Sequence, residues 1–177
     1  MIKTILVATD GSKHADKAVS LAIDIARKYQ ARLVVIHTLL RDASSDTLRK
    51  LANRRALTKE QRHLLDNYEI DIQMAVASTG ADGALAPVAA PPELLEPIGR
   101  QLLDRAAAAA KKAGIKKVST ALYGGDPAEG ILTTAKRQKA GLIVLGTRGF
   151  GELKGLLLGS VSHKVTQHAH CPVQTVK

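Results

Sequence analysis

The sequence predicts an α/β fold: a doubly wound, five-stranded parallel sheet in the order 3-2-1-4-5, with an inserted helical and irregular segment after the second strand. Three observations carry this. The runs Lys3 to Thr9, Arg32 to Leu40 and Leu142 to Leu145 are continuously apolar rather than alternating, the pattern of strands buried on both faces. Between such runs lie stretches with apolar residues at helical spacing. Strand and helix therefore alternate, and right-handed crossovers give a doubly wound sheet.

The elements follow in order. Asp10-Gly11-Ser12 ends the first strand, with Ser12 placed to cap the next helix and Asp16 adding charge near its start. Ala15, Ala18, Val19, Ala22, Ile25, Ala26 and Tyr29 then fall on one helical face. The second strand is centred on Leu33 to Ile36. From 41 to 99 the pattern breaks. Leu48, Leu51, Leu57, Leu64 and Leu65 among many Arg and Lys predict one or two basic helices. Asp71 to Val76 reads as a short extended piece, and 75–97, rich in Ala, Gly and Pro, as irregular. Ile98 to Ala113 reads as a helix capped by Gly114, and Val118 to Tyr123 as a strand. Gly124-Gly125-Asp126-Pro127 turns into a helix running to about Lys139, with Pro127 in its first turn. Gly159 to His168 is the last helix and Pro172 to Val176 the last strand.

The chain has 177 residues, which suits a single domain spanning 1–177 with an insertion at about 41–98. The one cysteine, Cys171, permits no internal disulfide and fits a reducing compartment. The first apolar run is too short for a signal peptide, and no stretch is long enough to span a bilayer. The expectation is a soluble, cytoplasmic protein with no membrane partner. The formal net charge is +10. Such a balance suits nucleic acid, a membrane surface or anionic small ligands, but its simplest reading is a solvated basic surface. Phe150, Tyr29, Tyr68 and Tyr123 are the only aromatics. With so few stacking platforms, nucleic acid is a poor candidate partner.

The strongest chemical signal follows the strand at Leu142 to Leu145. Gly146-Thr147-Arg148-Gly149 is separated by nine residues from Gly159-Ser160. Gly146 and Gly149 let backbone approach a ligand closely. The helix opening at Gly159-Ser160 aims unpaired N–H groups and its dipole at the crevice, which favours an anion, above all phosphate. Ser160 adds a hydroxyl, and Arg148 a charge. In an open α/β sheet, ligands sit at the carboxyl ends of the strands where strand order reverses. Asp10, at the end of the first strand, suits ribose hydroxyls or a metal ion there, or simply caps the following helix. The second strand ends at His37-Thr38, whose edge can line a purine pocket.

The sequence resembles the universal stress protein family, in its ATP-binding subgroup. The likeness rests on Ile5 to Ser12, Val35-Ile36-His37, Gly125-Asp126-Pro127 and the run from Leu142 to Val176, including Gly159-Ser160-Val161-Ser162 and His168 to Val173. It covers residues 1 to 40 and about 98 to 177. The resemblance implies a Rossmann-like fold and roles by position. Ala8, Thr9 and Asp10 would line adenine and ribose, with Asp10 near ribose and as a ligand for any Mg²⁺ accompanying ATP. Thr38 falls where members often place an aliphatic residue against adenine. Leu145, Gly146, Arg148 and Gly149 would approach ribose and phosphates, and Gly159, Ser160, Val161 and Ser162 would cradle the phosphates. The family also pairs subunits through the last strand, here Val173 to Val176, which predicts a homodimer.

Other patterns weigh less. His168, His170 and Cys171 lie close in sequence but at a helix end, where such residues are ordinary. His37 reads as a hydrogen-bonded core histidine, Cys171 as buried and inert, and Asp126 as a turn or capping residue. No general base stands beside the phosphate loop, so no catalytic residue is assigned. The expected function is nucleotide-dependent regulation in a stress response, without efficient turnover. Two alternatives remain: a slow ATPase or phosphoryl or nucleotidyl transferase using Asp10 or Asp126, and a nucleotide-independent interaction module using the basic insertion.

Overall fold

The computed structural model describes residues 2–39, 45–52, 57–77, 90–150 and 158–177. Its elements run β1 (Thr4–Ala8), α1 (Lys13–Tyr29), β2 (Arg32–Thr38), α2 (Ser45–Leu51), α3 (Lys59–Ala77), α4 (Pro92–Lys112), β3 (Val118–Tyr123), α5 (Pro127–Arg137), β4 (Leu142–Gly146), α6 (Ser160–His168) and β5 (Val173–Val176). The strands form one sheet in the order β3-β2-β1-β4-β5. Every pairing is parallel, as expected from the continuous apolar runs.

Each strand feeds both faces of the sheet. Ile5, Val7, Leu33, Val35, Leu142 and Val144 pack with α1 and α4, through Ala18, Ala22, Leu103 and Ala110 among others. The residues between them in sequence, Leu6, Val34, Ile36, Ile143 and Leu145, pack with α5 and α6, through Ile131, Ala135 and Val165. This two-sided burial is why the strands show no polar alternation. Strand order reverses between β1 and β4, so their carboxyl ends form the switch point at which open α/β sheets take ligands.

Among the described residues, three helices have side-chain caps. Ser12 Oγ accepts from the Ala15 N–H at 3.3 Å, and Asp126 Oδ1 accepts from the Glu129 N–H at 2.8 Å. Before α3, Thr58 Oγ1 accepts from the Gln61 N–H at 3.2 Å while Gln61 Oε1 accepts from the Thr58 N–H at 3.0 Å. Three helices end alike, on a residue with positive φ: Gln30 after α1 (52°), Gly114 after α4 (89°) and Lys139 after α5 (51°). In each case the next N–H reaches back to a carbonyl of the last turn: Ala31 to Ala26, Ile115 to Ala110 and Ala140 to Ala135. That closure turns each helix straight into the following strand.

The chain divides into two compact units, one of residues 1–39 and 102–177 and one of 40–101. The first holds the sheet. The second takes in the stretch expected to be an insertion. It holds α2 and α3, which contact one another, and most of α4's first half. Arg49 of α2 meets Glu69 and Asp66 of α3, the latter at 3.8 Å.

Three expectations are corrected. Asp71 to Val76 is not extended but continues α3. Lengthening an existing helix costs little, whereas an extended piece there would lack a partner strand. Irregularity does not persist to Pro97, because α4 begins at Pro92 and contains Pro97; residues 78–89 of that stretch lie outside the described ones. In α1, Tyr29 is 45% exposed and Ile23 is buried instead. Tyr29 is the last residue of α1.

Candidate functional site

The end of β1 is a tightly bonded turn. The Gly11 N–H donates to Thr9 Oγ1 at 3.2 Å and the Ser12 N–H to Asp10 Oδ1 at 2.9 Å. Gly11 sits at φ 84°, a conformation that favours glycine. So Ser12 caps α1, while Asp10 braces the turn with one carboxylate oxygen. Thr9 is held on its other side: its N–H donates to the Ile36 carbonyl at 2.9 Å, and its carbonyl lies 2.8 Å from His37 Nδ1. His37 is the hydrogen-bonded core histidine expected from the sequence. Burial pushes its pKa down, the bond to Thr9 and the charge of Asp10 opposing. A neutral ring with the proton on Nδ1 satisfies this contact.

The second oxygen of Asp10 faces the loop after β4. A Cβ on Gly149 would lie 2.3 Å from Asp10 Oδ2, so only glycine lets the loop approach the carboxylate this closely. Gly146 is equally constrained. A Cβ there would lie 2.9 Å from His14 Cβ and 3.0 Å from the Ala15 backbone nitrogen, so the end of β4 lies against the first turn of α1. The two ends at the reversal point are therefore in contact, through Asp10–Gly149 and through Gly146 with α1.

Thr147 ties the rest together. Its N–H donates to the Val176 carbonyl at 2.7 Å, and its carbonyl accepts from the Gly159 N–H at 2.8 Å and from Ser162 Oγ at 2.8 Å. Its hydroxyl lies 3.2 Å from the Val176 carbonyl and 3.3 Å from His14 Nδ1. With the Thr147 proton given to Val176, His14 donates from Nδ1. These bonds fix the start of α6 against β4. Gly159 supplies no side-chain cap, so the first-turn amides, of Ser160, Val161 and Ser162, lack the intrahelical partners that later residues have.

The predicted site residues thus divide. Asp10, Gly146, Gly149, Gly159 and Ser162 belong to one bonded and packed array, with Thr9 at its β1 side. Ser160 is exposed and Arg148 half-buried. Ser162 is buried, and its hydroxyl is turned inward to Thr147 and Gly159, leaving its backbone amide as its means of meeting a ligand. Leu145 lies in the core against α5 and α6, and Ala8 and Val161 pack on that core. Thr38, buried at the end of β2, pairs with Tyr123 and is separated from the loop by β1. His14 and Thr147 organise the array, yet sequence reasoning gave them no role. Thr147 stands inside the Gly-x-x-Gly signal, but nothing local shows that its carbonyl anchors α6.

Asp126 caps α5, as its place before Pro127 suggested, and also meets Lys164 Nζ of α6 at 3.2 Å. The Glu129 N–H holds its carboxyl below the usual carboxylate range, with Lys164 adding to the effect. On the opposite face of the sheet, a crevice of about 300 Å³ runs between α1 and α4, lined by Thr9, Ser20, Leu102 and Ala106. Asp16 and Arg105 pair across it at 3.3 Å.

The sequence matches the Universal stress protein family along residues 1–177. The chain belongs to this family. It is 30% identical over its whole length to universal stress protein YxiE of Bacillus subtilis, all of which is covered. It is 34% identical, again covering both chains entirely, to a universal stress protein of Thermus aquaticus encoded in the QAH/OAS sulfhydrylase 3′ region. Among solved structures, a universal stress protein in complex with cAMP superposes with a TM-score of 0.60, at 24% identity, covering 99% of this chain and 97% of that one. A universal stress protein of Archaeoglobus fulgidus in complex with dAMP gives 0.56 at 18% identity, covering 100% and 98%. These likenesses share the five-stranded universal stress protein fold described above.

Proposed function

We propose that this universal stress protein binds an adenine nucleotide, ATP in particular, at the carboxyl edge of β1 and β4, and that the nucleotide regulates it rather than being turned over efficiently. The observation that carries this reading is the close approach of Asp10 to Gly149 beside the bared first turn of α6. A carboxylate suited to ribose hydroxyls and amides suited to phosphate stand at one reversal point. Two relatives of the same fold hold cAMP and dAMP, so adenine nucleotides are the natural ligands to try first.

In this reading Ala8, Thr9, Asp10 and Thr38 line the purine and ribose, and the end of β4 with the loop after it brings Gly146, Arg148 and Gly149 toward ribose and phosphate, Leu145 backing them from the core. The amides of Ser160, Val161 and Ser162 face the phosphates, and Gly159, whose own N–H is held by the Thr147 carbonyl, leads the backbone into that turn. Asp10 is also the group that would hold Mg²⁺ together with phosphate oxygens, since that ion usually takes one or two carboxylates plus phosphates and water. The donor set fits such shared coordination. The protein works in the cytoplasm as a homodimer joined through β5, whose unpaired edge would otherwise invite association.

Isothermal titration of ligand-free protein with ATP, ADP, AMP and cAMP, each with and without Mg²⁺, tests the reading. Saturable binding of ATP, weakened by Asp10→Ala, is expected, as is nucleotide in the supernatant of denatured, freshly purified protein. Absence of binding by every nucleotide would overturn it.

A further inference from the structure

The reading of +10 as a general solvated surface misses where the charge lies. In the sheet-bearing unit, the amino ends of the strands stand at one level. The register pairs Thr4 with Arg32 and Leu33 with Val118, and Ile5 with Leu142. Arg32 and Lys117 therefore lie side by side on neighbouring strands, roughly 4.8 Å apart, and Lys3 precedes the Thr4 end of that row by one residue. The same level receives the ends of three helices. α1 brings Arg27 and Lys28, and α4 brings Lys111 and Lys112, followed by Lys116. From the other side of the sheet α5 brings Lys136 and Arg137, followed by Lys139. All of these are exposed except Arg32, which is half-buried and bonded to Gln138.

Cations at helix ends are ordinary, because they offset the helix dipole. That accounts for the residues in the last turns of α1, α4 and α5. It does not account for Lys3, Lys116 or Lys117, which lie outside any helix. Nor does it account for Lys139 at φ 51°, a position where glycine would relieve the backbone. Carboxylates are few at this end. Among the described residues of the unit, Asp24 and Asp104 are the acids in the C-terminal halves of these helices, and Asp24 pairs with Arg27 at 3.5 Å. Asp10, Asp16, Asp126 and Glu129 lie at the opposite, carboxyl end of the strands.

We propose that this end of the sheet is a docking face for an anionic phospholipid surface. Its geometry favours a plane over a cylinder: strand starts and helix ends on both sides of the sheet finish at one level, so a flat sheet of headgroups meets all of them together. Its chemistry favours hydrated headgroups over specific phosphate readout. Most of the cations are lysines, compact and strongly hydrated, rather than bidentate arginines. Tyr29, 45% exposed beside Lys28, has an apolar ring and a polar tip suited to the headgroup layer. Each lysine brought to such a surface raises partitioning about fivefold. Such docking needs no spanning segment, and no helix among the described residues is long and apolar enough to cross a bilayer.

Co-sedimentation of the full chain with phosphatidylcholine vesicles containing about 30 mol% phosphatidylserine tests this. Binding to these vesicles, none to pure phosphatidylcholine, and loss at high salt are expected. The variant K111E/K112E/K116E/K117E should lose at least about tenfold in partitioning. K139G should lose partitioning while its thermal midpoint holds or rises, which separates the effect from misfolding. Absence of binding to anionic vesicles at low salt, or undiminished binding by the fourfold variant with native circular dichroism, overturns the proposal. So does tighter binding to a short DNA duplex than to the vesicles, which would make the face a nucleic-acid surface.

Discussion

Two residues fix the end of β1, Gly149 from the loop after β4 and His37 from β2, and each makes a separate prediction. Gly149→Val places a side chain against Asp10 Oδ2, where even a Cβ would sit at 2.3 Å. The loop must then withdraw. Titration should show ATP affinity falling at least about tenfold, with stability little changed because Gly149 is exposed. His37 predicts a pH dependence. Its folded pKa lies below the ordinary 6.5, so the unfolded chain takes up its proton first as pH falls. The stability it contributes is whole above about 6.5 and is lost as pH drops below that toward the folded value. Urea midpoints should fall between about pH 7.5 and 5.5, and His37→Gln should flatten that slope. Little of this was legible residue by residue. Ser12 and Gly149 announced themselves, because caps and close approaches have local signatures. Thr147 did not, since its importance comes from Val176, Gly159 and Ser162, all distant in sequence. Ser162 was read as a phosphate donor, but the pull of the Thr147 carbonyl turned its hydroxyl into the interior.

Elements read well where burial on both faces left a continuous apolar run, and poorly where packing decided the outcome. β3 matches its expected bounds, Val118 to Tyr123, although it is an edge strand. Residues 71–76 were misread because Ile70, Ile72 and Met74 mimic strand alternation. In α3, Ile70 and Met74 are simply exposed, at 49% and 66%, off the face that buries Leu65 and Tyr68. Ile23 is buried and Tyr29 exposed although Ala26, between them, is fully buried, so packing that helical spacing alone does not show decides which residues of α1 are covered. At this scale Asp126→Ala should cost about 1 kcal/mol of stability through the lost cap of α5. The sign with pH follows from its lowered pKa: the contribution is present above the ordinary carboxylate value and disappears as pH falls through the folded one. Thermal midpoints of variant and parent should therefore converge in acid.

At the scale of the molecule, both hydrophobic clusters draw their residues from 1–39 and 102–177 alone. The strand order followed from the crossover rules, and the insertion from the break in pattern after β2, so the architecture was largely legible. The charge map was not. Composition records how many lysines there are, whereas parallel register determines that Arg32 and Lys117 become neighbours, with Lys3 one residue from that row. Because the sheet keeps its core without the second unit, removal of residues 44–95 should leave a folded domain. Cooperative unfolding by circular dichroism and an unchanged ATP titration are expected. Loss of both would assign the second unit a part in folding.

The central position of β1 has a consequence for biosynthesis. β1, Thr4–Ala8, pairs with β2 on one side and β4 on the other, and β4 is translated long after both. Until Leu142 to Gly146 emerge, one flank of an almost wholly apolar segment lacks its permanent neighbour. The nascent polypeptide thus carries a sticky, half-built sheet until β4 is made, and the closing of that gap also brings Gly149 up to Asp10.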